Sequence, residues 1–291
     1  MNPVQQAPPK NNRWRTRQGL ARFPRASMRW IAIWLAIALA GAVLLSKFEL
    51  NRLRENFEVD ARIMHRLLSQ RASQHDAVLA TLSLLQAQNR NESSSESSSK
   101  NSDQRLSSVY PQIISIDKRL PGSAWSDKTA GPALDSAEKV SRDGTIPALA
   151  AGEFHLGRFW LVLASTPDSY ALHIDNRAMV PWSEWPIENR GRDSSVRVVL
   201  EHGAQAWELQ PGRLADSTWR FDFRKHLASP SQPFDVVVTR SLGWAELPWM
   251  KMVSWVLGSA LVAAAVAASL HQRRERARAQ EWLRLGNCDG Y

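Results

Sequence analysis

Two stretches of this chain carry no charged side chain, and they constrain its fold more than anything else in it. Trp30–Ser46 (WIAIWLAIALAGAVLLS) is closed by Arg29 and Lys47, and Met252–Leu270 (MVSWVLGSALVAAAVAASL) is flanked by Lys251 and His271. At a helical rise of about 1.5 Å per residue each covers roughly 25 to 29 Å, enough for a hydrocarbon core about 30 Å thick. Lys47 and Lys251 extend that reach by carrying their ammonium groups out to the headgroups. Trp30, Trp34, Trp249 and Trp255 stand near the ends, where indole favours the interface. The expectation is two transmembrane helices, 30–46 and 252–270, with residues 47–250 held between them as one domain.

The net charge of +9 would suit a nucleic-acid binder if it were spread over a folded surface. Its location says otherwise. Residues 1–29 hold Lys10, Arg13, Arg15, Arg17, Arg22, Arg25 and Arg29 and no acid, and the tail 271–291 sets five arginines against Glu275, Glu281 and Asp289. Residues 48–250 hold 23 Lys/Arg and 25 Asp/Glu, a net of −2. Basic residues crowded beside both apolar runs put both termini in the cytoplasm and the centre outside; the expected setting is a bacterial inner membrane with the centre in the periplasm. Nucleic acid is excluded as a partner. A cleaved signal peptide is the rival reading of the first run, since Ala38-Leu39-Ala40 has small-x-small spacing. Against it, the apolar run continues through Ala42-Val43-Leu44-Leu45 and the basic leader is long for a signal. The one cysteine, Cys288, falls in the cytoplasmic tail, so the outer domain has no disulfide and depends on its own core.

From Phe48 to about Gln88 apolar residues recur in steps of three and four (Leu50, Leu53, Phe57, Ala61, Met64, Leu68, Leu79, Leu82, Leu85), with no Pro or Gly to interrupt them. That is one long helix, 48–88, with coiled-coil character in its first half. Leu50, Leu53, Phe57 and Met64 are the candidate dimer stalk, weighed evenly against a helix packed on its own domain. Residues 89–104 (NRNESSSESSSKNSDQ) hold no apolar side chain to bury and read as a solvated loop. Strands follow in the α/β part, 105–247: Val109–Asp117, Arg158–Leu163, Tyr170–Ile174, a hairpin of Val196–Glu201 and Gln205–Leu209 around His202-Gly203, Trp219–Phe223 and Phe234–Thr239. Residues 118–152 are rich in Pro and Gly, with room for a short helix near Leu134–Val140, and Asn176–Trp185 is a short helix or loop. A long helix followed by about six hairpin-linked strands predicts an α+β domain: an antiparallel sheet with helices packed on one face.

Signatures of catalysis are missing. No Walker A, GxGxxG, GxSxG, HExxH or HxxxH spacing occurs, so no metal site is expected. A triad can be drawn through His75-Asp76 and a distant serine, but such scattered residues occur in any chain. What remains is recognition. Arg158, Trp160, Tyr170, His173 and Asp175 lie on or beside neighbouring strands, with Arg177 close by, and aromatic walls with a few polar groups suit a small-molecule pocket. The competing reading makes Trp160 and Tyr170 core and Arg158–Asp175 a surface pair. Trp182, Trp185 and Trp219 invite the same two readings.

The layout of basic leader, membrane helix, long helix, α+β domain and second membrane helix resembles the input half of two-component sensor histidine kinases. So do residues 48–86 (FELNRLRENFEVDARIMHRLLSQRASQHDAVLATLSLLQ), SVYPQI at 108–113, WRFDFRKHL at 219–227 and PFDVVVTRSLGWAELPW at 233–249. The resemblance implies a PAS-like outer domain of the CHASE or Cache kind. It also implies a homodimer, or a heterodimer with an intact sensor kinase, and an unidentified small-molecule or protein ligand. The stretch RRERARAQEWLRLG (273–286) is similar to the helix leading into the phosphotransfer domain of these kinases. The family's phosphoacceptor histidine sits in a His-Glu-Leu-Asn-x-Pro setting; His271 lacks it and does not inherit the role. The expectation is a chain that stops short of the phosphotransfer and ATP-binding domains, with no catalytic residue and no cofactor of its own, since ATP and Mg belong to the kinase core. Chemoreceptors and diguanylate cyclases use similar input heads. An envelope scaffold or polysaccharide chain-length regulator also places two spans around a helical domain, though usually with more proline at the second span than the single Pro248 here.

Overall fold

The structure is a computed structural model describing residues 25–89, 108–188, 193–213 and 219–286. Apart from Asn89, the Ser-rich segment 89–104 lies outside the described residues, as do most of the leader and the last five positions. In chain order the elements are α1 (Arg25–Asn89), β1 (Ile113–Arg119), α2 (Gly131–Gly144), β2 (Ala148–Ala150), β3 (Arg158–Leu163), β4 (Ser169–Asp175), β5 (Val196–His202), β6 (Gln205–Gln210), β7 (Trp219–His226), β8 (Asp235–Leu242) and α3 (Trp249–Gly286). The chain divides into two compact units, one made of its two ends (Met1–Phe48 and Pro248–Tyr291) and one of Glu49–Leu247.

In the unit made of the ends, α1 and α3 are long enough and apolar enough to cross a membrane. Their apolar side chains point outward: Leu39 is 63% and Leu261 73% exposed. The core helix of a globular protein would bury such residues. Small residues let the two helices approach. Gly41 lies against the Trp255 indole, where any Cβ would collide with the ring, and Ala38 is buried. Trp34 Nε1 donates to Ser259 Oγ at 3.3 Å, and Ser46 Oγ stands 3.6 Å from Met252 Sδ.

The unit of residues 49–247 is α+β. Its strands form two four-stranded sheets, in the orders β1-β4-β3-β2 and β6-β5-β8-β7, and every pairing is antiparallel. The first sheet is buried on both faces. Phe159, Leu161, Leu172 and Ile174 enter the main core, while Trp160, Val162 and Ala171 pack with Leu134 and Ala137 of α2. The second sheet is one-sided. Val196, Val198 and Leu200 of β5 and Val236 and Val238 of β8 face the main core, and its other face carries the ion pairs Arg197–Glu208 and Arg224–Glu201. Helix α1 fills the same core with Phe57, Ala61, Met64, Leu68, Ala72 and Leu79, a single stripe at helical spacing.

Three expectations need correction. The domain holds two sheets, not one, and the first is enclosed on both faces, by the main core on one side and by α2 on the other. The sequence of β3, Phe-Trp-Leu-Val, explains this: consecutive apolar residues mark a strand enclosed on both sides. The stalk assignment fails at Phe57 and Met64, which are buried in the unit's own core; Phe57 meets the Phe221 ring at 6.0 Å. Leu50 and Leu53 are half-buried. The short strand β2 falls in the stretch read as loop, because Ala148 and Ala150 bury too little area to leave a periodic signal. Gly157, between Leu156 and β3, adopts φ +82, and a Cβ there would stand 2.5 Å from the Trp207 ring. Only glycine fits both conditions.

Candidate functional site

Register decides which predicted site residues can meet. In the β3–β4 ladder Arg158 pairs with Asp175 and Trp160 with His173. Alternation then puts all four on the outer face of the first sheet. The Trp160 and His173 rings stack, with centroids 4.2 Å apart and planes 5° from parallel. Ser115 of β1 is the next residue along that row. Tyr170 is three residues from His173, so it points the other way and belongs to the main core. The structure therefore brings together four of the five and removes Tyr170. Asp175 Oδ1 accepts the Arg177 backbone N–H at 2.8 Å, which shapes the turn after β4.

His173 is buried, and burial pushes its pKa below the usual value. Glu153 opposes that shift, its Oε2 lying 3.5 Å from Nε2; the Arg158 charge reinforces it and Asp127 opposes it. At neutral pH the imidazole is uncharged and stacked on indole. The Nε1 groups of Trp160 and Trp125 are buried in the same outer layer without a hydrogen-bond partner among the described residues. This end of the face is closely packed, polar at its edge and apolar inside.

The other end of the same face opens into a groove of about 860 Å³, lined by Arg119, Glu138, Lys139, Arg142, Thr166 and Ser169 among others. One buried carboxylate organises it. Glu138 is 7% exposed; it accepts from Arg119 Nη1 at 2.7 Å, from Arg142 Nη2 at 2.7 Å and from Ser169 Oγ at 2.7 Å. Arg119 also donates to Asp135 Oδ1 and to the Ser123 carbonyl. A carboxylate removed from water needs this many donors. The groove thus has a hydrogen-bonded charged floor and exposed cations, Lys139 and Arg142, at its rim, a setting for a polar ligand. Sequence reasoning missed it, because the strand was expected to end at Asp117 and the helix at Val140, which left Arg119 and Arg142 in loop.

A third polar cluster joins α1 to the connection between β7 and β8. His65 Nε2 donates to the His226 carbonyl at 2.7 Å, and Ser69 Oγ accepts the Ala228 N–H at 3.2 Å. Gln232 Nε2 donates to the Ala72 carbonyl at 2.9 Å, and Asp76 accepts from Ser229 Oγ at 2.7 Å and from Ser231 Oγ. His75, fully buried, places Nδ1 3.4 Å from Gln232 Oε1. Burial lowers its pKa to about 4; the Gln232 hydrogen bond opposes the shift and the Arg71 charge adds to it. The serines donate to Asp76 directly and the imidazole faces Gln232, so His75-Asp76 is not part of a Ser-His-Asp relay. The cluster holds α1 to the β7–β8 connection as a latch would.

Among the described residues no three His, Cys, Asp or Glu side chains gather where they would hold a metal ion. No family model, curated protein or solved structure matches the chain. The class that fold and surface define is an α+β unit bracketed by two helices fit to cross a membrane.

Proposed function

We propose that the chain is the input region of a membrane-bound signal receptor of the sensor-histidine-kinase type. In this reading a PAS-like domain lies in the periplasm and both ends lie in the cytoplasm. The observation that carries it is the double character of α1. Its first part exposes apolar side chains that lipid would cover, and its later part is seated in the α+β core by a buried stripe and by the latch. Helix α3 follows β8 closely, after the short turn Trp244–Glu246. Along the chain, the first span continues as the helix that meets the β7–β8 connection, and six residues, 243–248, separate β8 from the helix of the second span.

Orientation rests on charge, since the basic residues border the two apolar runs and residues 48–250 are nearly neutral. The paired packing of Gly41 and Trp255 supports an uncleaved first span. An antiparallel four-stranded sheet with α2 packed on its outer face, preceded in the chain by a long helix, supports the PAS-like reading. The groove floored by Glu138 is the ligand site we assign, for a small polar molecule. Such a ligand acts only through its difference in affinity for two arrangements of the domain.

The test uses cysteines at Ser46 and Met252, whose side chains touch, in a Cys288→Ser full chain in native membranes. A signalling protein changes its oxidative crosslinking rate several-fold when Asp76→Ala opens the latch. An unchanged rate, with the domain still folded, favours a passive scaffold.

A further inference from the structure

We infer that the cleft between the two spans binds one anionic phospholipid, with an acyl chain between the helices and its phosphate at Arg274. The inference rests on the membrane-spanning reading above. The cleft has a volume of about 900 Å³; its walls include Trp30, Trp34 and Ile37 from α1 and Val262, Val266 and Arg274 from α3. On α3 the lining residues Ala263, Ala267, Leu270, His271 and Arg274 follow one another at helical spacing. One apolar stripe therefore runs directly into a guanidinium.

Charge selects the occupant. Residues 271–280 (HQRRERARAQ) carry four arginines and a single acid, Glu275, and that acid lies 3.0 Å from His271 Nε2. The excess positive charge sits beside the end of the apolar cleft, matching a headgroup phosphate above a buried chain. A zwitterionic lipid fits the walls equally well but brings its own cation to the arginines. A phosphate near the membrane surface gains roughly fivefold in occupancy per engaged arginine, and Arg fits phosphate with two parallel donors.

The experiment reconstitutes the full chain in phosphatidylcholine vesicles containing a minor fraction of lipid brominated on its acyl chain. The brominated lipid is phosphatidylglycerol in one arm and phosphatidylcholine in the other. The tryptophans of the cleft report bound bromine by quenching. The expected result is quenching several-fold stronger with phosphatidylglycerol, reduced to the phosphatidylcholine level by Arg274→Gln or by the cleft-filling Ala263→Phe, and kept in Arg278→Gln. Equal quenching by the two lipids overturns the inference. So does an excess that survives both substitutions, or one that Arg278→Gln removes as fully as Arg274→Gln. No quenching by either lipid sinks the membrane-spanning reading itself, which separates the two failures.

Discussion

The two sheets of residues 49–247 differ in how much of themselves they hide. In the first, β4 is buried at every position from Ser169 to Ile174, since one face lines the main core it shares with the second sheet and α2 covers the other. In the second, β7 alternates between half-buried and exposed along most of its length, and its outer side is a field of ion pairs. The difference teaches where recognition can sit. A face covered by a single helix and a loop leaves edges, and the groove floored by Glu138 lies along them. The polar groups of the first sheet's outer face are correspondingly well held, with Glu138 bound by two arginines and a serine, while Arg224 on the second sheet makes its ion pair with Glu201 at a side chain 59% exposed.

The sharpest way to break this contrast is to open the core the two sheets share. Phe234 stacks on Phe154 and meets the edge of Phe159, both at 5.1 Å. Phe234→Ala should cost about 3–5 kcal/mol, read as a drop in denaturant midpoint of the full chain in detergent. Acid comes next. Folded, His75 has its pKa lowered from 6.5 to about 4; the unfolded chain takes up its proton near 6.5, so stability is lost as pH falls through that window and is unaffected above it. The slope is about 1.4 kcal/mol per pH unit, and His75→Gln should flatten this part of the pH profile.

Smaller still is Glu138→Ala. It leaves Arg119 and Ser169 without their buried acceptor, and because the guanidiniums reach solvent the cost should be about 2 kcal/mol. The smallest effect belongs to the second sheet's outer face: Arg224→Ala should change stability by about 0.5 kcal/mol or less. If Arg224→Ala cost more than Glu138→Ala in the same denaturation series, the contrast between the sheets would be wrong.

Much of the fold was legible. Uncharged runs announced the apolar helices, steps of three and four announced the rest of α1, and the β5–β6 hairpin followed from alternation on either side of His202-Gly203. The candidate site was legible only in part. Trp160 and His173 were found as neighbours, and a stricter use of period two would have set Tyr170 aside, since residues three apart on a strand face opposite ways. The pairing of Arg119 with Glu138 depends on how α2 lies on the first sheet, and no local pattern encodes that. Ser229, Ser231 and Gln232 look like an ordinary polar turn, and their role appears only when α1 is laid beside them. Phe57 and Met64 misled because a helix stripe looks the same whether it buries against its own sheet or against a second chain.

The central claim is that residues 49–247 and the chain's tail lie on opposite sides of a membrane. Labelling with a membrane-impermeant maleimide in intact cells tests it directly. One sample is the chain with its native Cys288, and the other is a Cys288→Ser chain with Lys128, an exposed residue before α2, replaced by cysteine. The account predicts that Lys128→Cys is modified in intact cells and that Cys288 is modified only after the membrane is opened. Labelling of Cys288 from outside, or protection of Lys128→Cys until the cells are opened, would contradict it.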